Sequence, residues 1–550
     1  MIAAFLAVAV VLFGHLMGWH GVDTAAQVYR VNSFRDHGFS LWDYSWYGGH
    51  WTLDYSVLYP ALAGTLGILL MTALSAGAAS FAFDRLVRYA LPWPSAVLAT
   101  YSFAAGTLVA ASIGQLTFLA GEAFGMPALL AAVRGRRSLA LVLALACTLT
   151  SPLTGAFLAL AAAAWGLLAL LDGERDRFRL CAGMVAVAGI PIALAAVLFP
   201  GDGAMPYPIV DWAWEMVVAA AIAVMAGRRY RTLAAGAGLW MLAASFSELV
   251  PSALGGNIGR LEDMVALPIG LALAWDRLPV LVPVTAVPLL LSQWGPAWDA
   301  FTATAQPSTK ASYFAPLNQS LQLLSKGGPA GRVEVIPTEF HWEAAYVADV
   351  VPLARGWERQ LDEADNPIFY QPGDLVPATY RDWLVNNGVR FVALPSAPLD
   401  AAGKEEAAIV SSGAVPGLNV VWQSPDWKVY EVENSPGIVS GPARLVSESN
   451  GAVILDARSA GTLTVRIRWS PDWYVVGGAG CLQKANVWLA VNVAGPGPVD
   501  LQMSLLQPNR TPCSAVVPAA STVAADPSSR PAPTGSPGWL DRGTAADLRS

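Results

Sequence analysis

Two segments far apart in the chain carry residues that could act together on a phosphate-bearing substrate. The first is HGVDTAAQVYR, residues 20–30, with His20, Asp23 and Arg30. His20 and Asp23 are three apart, so they share a face if the segment is helical. Such an Asp could serve as a general base, and the two together are candidates to hold a divalent metal. The second is GGNIGRLED, residues 255–263, with Asn257, Arg260, Glu262 and Asp263. The planar fork of an arginine takes two phosphate oxygens at once; pairing with Glu262 or Asp263 is its plainer use. Between the segments lies SLWDYSWYGGHWTLDYSVLY, residues 40–59, with Asp43, Trp46, Tyr47, His50 and Asp54. Its acids and histidine could complete a ligand set. Its aromatics suit either an interfacial belt or a stacking platform for sugar or lipid.

The elements that must position these residues follow from composition. The chain has 550 residues, 55% hydrophobic and 13% charged. Soluble domains average about 25% charged. Mean hydropathy is +0.46 and net charge −7, which excludes a disordered chain and a basic nucleic-acid binder. Residues 1–294 hold 15 Arg, no Lys and 16 acids, a net −1; the remainder holds 18 basic and 24 acidic residues, a net −6. An α-helical polytopic membrane domain, residues 1–294, is therefore expected before an ordinary polar half. About eleven spans are predicted, centred near residues 9, 68, 104, 124, 145, 161, 190, 219, 240, 268 and 286. The first lacks a basic leader and a small-x-small cleavage site, so an uncleaved anchor is expected.

Arginines set the orientation. Alternate loops carry Arg85, Arg88, Arg134, Arg136, Arg137, Arg175, Arg177, Arg179, Arg228, Arg229, Arg231 and Arg277, and the opposite loops only Arg30, Arg35 and Arg260. The rich side should be cytoplasmic. The arginine-poor face then holds a long first loop, residues 18–56, and further along the chain Gln115, Glu122, Asp202, Asp211, Glu215 and Glu248. Solvated loops are the ordinary explanation of such residues, but their clustering on one face favours a site there.

The rest of the chain should lie outside the cell. Residues 295–330 read as a linker with a short helix at 317–324. Residues 331–435 read as an extracytoplasmic α/β domain, with strands at 332–337 and 389–394, a helix at 377–386 and a hairpin about residues 424–426. Residues 436–507 alternate apolar and polar, as in a β-sandwich, and 508–550 have the composition of a disordered tail. A cluster of His341, Trp342, Glu343, Arg355 and Arg359 could cap the membrane site or simply hold the domain together. Cys481 and Cys513 fall outside, where a disulfide can persist. Cys147 and Cys181 fall in apolar spans. No Walker loop, HExxH or CxxC occurs.

The segments HGVDTAAQVYR, SWYGGHWTLDYSVLYP, GQLTFLAGEAFG, TSPLTG and GGNIGRLEDMVALP carry a resemblance. With an inside N-terminus and a long acidic first loop, the chain resembles the GT-C glycosyltransferase superfamily. It looks most like actinobacterial multispanning proteins of the YfhO-like group, and TLTVRIRWSPDWYVVGG is similar to that group's external β-domain. The resemblance implies a plasma-membrane, multi-pass hexosyl- or pentosyltransferase. It would move a sugar from a polyprenyl-phosphate carrier to a glycan or lipid acceptor of the cell envelope. The family's acidic residue of the first external loop falls on Asp23; no DxD follows, which leaves metal use open. His20, Arg30, Asp43, Trp46, Tyr47, His50, Asp54, Glu248, Asn257 and Arg260 are the candidate substrate contacts. Two other functions compete: a non-catalytic envelope-assembly protein, and a flippase for a lipid-linked precursor.

Overall fold

The computed structural model describes residues 1–201, 203–506 and 512–513. Asp202 and almost all of the tail expected at 508–550 lie outside the described residues. Met1–Pro512 form one compact unit.

A helix covers each of the expected apolar centres: Ile2–Leu16, Ile68–Ala90, Trp93–Ile113, Leu116–Val133, Arg137–Thr150, Pro152–Leu171, Arg175–Leu198, Ile209–Ala226, Arg231–Leu249, Arg260–Arg277 and Leu281–Ala303. Six of them are long and apolar enough to cross a membrane by length and composition: Ile68–Ala90 through Leu116–Val133, then Pro152–Leu171 through Ile209–Ala226. Ile2–Leu16 and Arg137–Thr150 have 15 and 14 residues. At 1.5 Å per residue they reach about 22 Å, short of a bilayer core of about 30 Å. The helices meet on small residues. Ala3 and Ala7 of the first helix pack with Ala73 and Ala76, and Ala79 and Ala82 pack with Ala96 and Ala99. Small side chains let backbones approach closely, which is how helices gain contact without a hydrophobic drive from water. Large apolar residues face outward instead, among them Leu74, Ile190, Val197, Val224 and Phe246. The last helix runs on to Ala303, past the boundary expected at 294, and the linker helix spans Ala311–Ser325 rather than only 317–324.

In the C-terminal half, strands Arg332–Val335 and Val389–Pro395 pair in parallel. Val389–Pro395 pairs antiparallel with Trp427–Val432, which closes a hairpin with Leu418–Gln423. Two four-stranded antiparallel sheets follow between Val439 and Met503. Their inward residues, such as Leu463, Val465 and Ile467 on one strand, alternate with outward ones and share one core.

The segment after the first helix joins both C-terminal modules. It holds a helix, Val22–His37, and a two-residue ladder, Trp42–Asp43 against His50–Trp51. The turn between the strands is left-handed at Tyr47, Gly48 and Gly49, with φ of 57°, 78° and 126°. Trp46 and Tyr47 lie in the α/β core, and Trp42 lies in the core of the sandwich.

Candidate active site

Asp23 sits in the first turn of helix Val22–His37, where the helix dipole favours a negative charge. Gly21 precedes it and packs on the turn that follows helix Trp93–Ile113. A Cβ on Gly21 would lie 2.8 Å from the Ile113 backbone, and one on Gly114 would lie 2.2 Å from the Thr24 nitrogen. Only glycine permits this approach, and it fixes the carboxylate against the membrane helices. Arg260 opens helix Arg260–Arg277, after a 3-10 turn over Gly255–Gly259. Its Nη2 donates to Asp23 Oδ2 at 3.3 Å, across 237 residues of chain. Both side chains are largely buried, 20% and 11% exposed. Burial raises the Asp23 pKa above its ordinary value, and Arg260 and Arg30 pull against that rise.

Arg30 lies seven residues after Asp23, two turns along the same helix face. It pairs with Glu358 of the C-terminal half, and its guanidinium lies 3.7 Å from the centre of the Tyr55 ring. Its Nη1 is buried with no hydrogen-bond partner. Gln27, between them on the helix, donates to Tyr55 Oη at 2.9 Å. Burial lifts the Asp54 pKa to about 7; Glu358 adds to the rise and Arg30 opposes it. Glu358, Tyr55 and Gln27 carry no local signal in the sequence, because their role comes from segments up to 328 residues away.

Beside the pair is a small cavity of about 30 Å³ that Arg260 lines together with Asp263, Gln115, Glu122 and Gln293. Glu122 and Met264 also line a larger, mostly apolar cavity of about 680 Å³. That cavity descends between the helices past Met126, Phe157 and Trp240 to Asp172, Arg229 and Arg231. A third chamber, of about 720 Å³, lies on the other side of helix Trp93–Ile113, with His20 and Thr24 in its wall. Ile113 faces the small cavity and Ser112 the chamber, so one turn of chain separates them.

The other candidates are placed elsewhere. Asp43 accepts from Tyr29 Oη at 2.6 Å and from the Ser45 nitrogen at 2.8 Å. Trp46 is fully buried, and its Nε1 donates to the Ala344 carbonyl at 3.1 Å. Tyr47 Oη donates to the Glu358 carbonyl at 3.0 Å. The His50 ring stacks on Trp46, with centroids 5.4 Å apart. These four belong to the junction of the loop with the C-terminal half, and none of them lines the three cavities. Asn257 lies on the turn before Arg260 and donates to the Ala253 carbonyl at 3.4 Å. Glu248 is partly buried near the end of helix Arg231–Leu249.

His20 lines the chamber, which Asp23 does not, so the two metal candidates do not face a common cavity. Among the described residues no three His, Cys, Asp or Glu side chains converge to hold a metal ion. The His341 cluster lies within the C-terminal half. His341 is 3.3 Å from Glu343 and 3.6 Å from Asp400, and Arg355 is held by Glu334, Asp362 and Glu406. Cys147 and Cys181 are free and buried, whereas Cys481 and Cys513 are disulfide-bonded.

No protein-family model matches this chain, and no curated protein is significantly similar to it. Likenesses to solved structures include the following two. A mutant of the arabinofuranosyltransferase AftD from Mycobacteria is 17% identical with a TM-score of 0.46, over 87% of this chain and 43% of that one. This chain therefore spans less than half of AftD. ArnT from Cupriavidus metallidurans, solved bound to undecaprenyl phosphate, is 14% identical with a TM-score of 0.40, over 79% of this chain and 98% of that one.

Proposed function

We propose that this chain is a multi-pass plasma-membrane glycosyltransferase of the GT-C kind, akin to the YfhO-like actinobacterial group. It moves a hexose or pentose from a polyprenyl-phosphate carrier to a cell-envelope acceptor on the external face. The carrying observation is the 3.3 Å pair of Asp23 and Arg260, whose arginine lines the small cavity adjoining the larger one among the membrane helices. The arginine bias of the loops supports an external site.

The chemistry follows from the pair. At rest the Arg260 fork is held by Asp23. A lipid phosphate entering by the apolar cavity is a stronger ligand for that fork, and taking it up releases the carboxylate. Asp23 then accepts the proton of an acceptor hydroxyl. The acceptor oxygen bonds to the anomeric carbon as the bond from that carbon to the phosphate oxygen breaks. The phosphate leaves with one more negative charge, which Arg260 stabilises. A single displacement inverts the anomeric centre. A carboxylate whose pKa is raised by burial is a better base near neutral pH than an exposed one. The polyprenyl tail, lined by side chains such as Phe157 and Trp240, needs no water-filled path.

Arg260→Ala tests the phosphate role. Loss of a charged hydrogen bond costs about 1.5–3 kcal/mol, or roughly 10- to 150-fold in donor KM or in turnover. Arg260→Lys should recover only part, because a point charge cannot grip two oxygens. Transfer at the parent rate in both Arg260→Ala and Asp23→Asn overturns the proposal. Transport has one observation in its favour: the large cavity is lined from Arg229 and Arg231 up to Glu122. Lipid flipping in liposomes by Asp23→Asn, without any transfer by the parent, would favour it.

A further inference from the structure

The third chamber belongs to neither the Asp23–Arg260 pair nor the apolar cavity, and it shares no lining residue with the small cavity. Its floor is aliphatic: Val11, Leu69 and Leu108 come from three membrane helices. Its roof is built from the external half. Trp342 stacks on Tyr346 with centroids 5.0 Å apart, and Thr304, Thr309 and Lys310 close the side. The ionisable residues of the lining are His15, His20, Lys310 and Tyr346, and no carboxylate is among them. Lys310 caps helix Ala311–Ser325, whose first turn also faces the chamber, so the helix dipole adds to the cationic character. The His15 and His20 rings lie 5.7 Å apart, and His20 is 6.4 Å from Trp342.

Three residues of the lining hold a buried polar atom with no hydrogen-bond partner: Trp342 Nε1, Ser112 Oγ and Thr24 Oγ1. Each of the three residues is at most 5% exposed. Unsatisfied buried polar groups are uncommon, and each calls for a ligand, a water or a functional reason. An aliphatic floor beneath an aromatic, cationic, hydrogen-bonding roof matches one kind of molecule. That molecule has acyl or prenyl chains below and a hydroxylated, anionic head above. Thr24 adjoins Asp23 in sequence, and the neighbours Ser112 and Ile113 line the chamber and the small cavity respectively.

We propose that this chamber is a second lipid site, taking a lipid whose head carries a phosphate and free hydroxyls, and that this lipid is the sugar acceptor. Both substrates then come from the bilayer and meet across one turn of chain. The acceptor role rests on the transfer reading above; the lipid site does not.

Lipid capture tests the site without turnover. Full-length protein in detergent, parent and Asp23→Asn alike, is mixed with phosphatidylglycerol, phosphatidylcholine or glycerol 3-phosphate, and the intact complexes are weighed. Phosphatidylglycerol should be retained at least tenfold better than phosphatidylcholine. Lys310→Glu, at an exposed position, should erase that preference. Leu69→Trp, which fills the floor, should abolish capture. Equal capture of both lipids, retention unchanged in the two variants, or glycerol 3-phosphate binding as tightly as the lipid would overturn the site. Transfer to a water-soluble glycan at the parent rate in Leu69→Trp would remove the acceptor role while leaving the transfer reading intact. Capture without any transfer would sink the transfer reading and keep the lipid site.

Discussion

Asp23→Asn separates catalysis from folding, because the geometry drives the two in opposite directions. Burial raises the carboxyl pKa above its ordinary 3.8 in the folded protein. The folded state therefore holds that proton more tightly than the unfolded chain does. As pH rises from the ordinary carboxylate value through the raised folded value, ionising Asp23 costs stability, and above that the cost is complete. Asparagine keeps the shape and removes the cost. Arg260 keeps Asp263 beside it in the small cavity. The variant should thus unfold at or above the parent temperature at pH 7, with the difference shrinking as the pH is lowered towards 4. Transfer should collapse instead. Loss of a general base lowers rates about 100- to 10,000-fold, or about 3–5 kcal/mol of barrier. The assay is release of radiolabelled sugar from polyprenyl phosphate by protein in nanodiscs, with a thermal melt on the same sample. Parent-like transfer refutes the base assignment. A melt several degrees below the parent refutes the electrostatic reasoning, because it would mean that Arg260 pairing outweighs burial.

Trp46→Ala should cost about 3–5 kcal/mol in the stability of the C-terminal half, because it empties a fully buried ring site; a chemical melt followed by tryptophan fluorescence measures it. Arg355→Met should destabilise by about 3–5 kcal/mol, because Glu334, Asp362 and Glu406 lose their shared counter-charge; unchanged urea unfolding would contradict this. Burial works against the charge of His341, but Asp400 and Glu343 outweigh it and lift its pKa from 6.5 to about 9. The stability from this charge is fully present below pH 6.5 and is lost as pH rises to about 9, a fall of roughly 3 kcal/mol. His341→Gln should flatten that slope, and a melt equally steep in parent and variant would show the charge to be unimportant.

The positions of the apolar helices were legible in the chain, since each expected centre falls in a helix. The hydrophobic runs and arginine-rich loops are local signals, and a helix needs little more. Residue type picks out Asp23 and Arg260 separately, and the arginine bias of the loops predicts one face for both. Their contact is tertiary geometry, and spacing along the chain does not encode it. The aromatic run shows where local reading stops. Belt and sugar platform both leave Trp46 and Tyr47 at an interface, whereas the rings are buried in a core supplied by residues such as Ala344 and Leu353. Arg30 is similar: as one of three arginines on the sparse face it invited a phosphate, yet Glu358 holds it from 328 positions away. His20 shares a local spacing with Asp23, but the bend at Gly21 turns it towards another chamber.

The seating of the first loop has a consequence for biosynthesis. Arg468 reaches back 421 residues to the carbonyl of Tyr47. At about 5–20 residues per second, ribosomes need roughly 20–80 s to make that stretch. During this interval Trp42, Trp46 and Tyr47 have been translated but lack the cores that will enclose them. Interrupted chains that end before the sandwich would present these rings to chaperones and proteases, so the carboxylate on the adjoining helix is finally set only once the sandwich strands have been made.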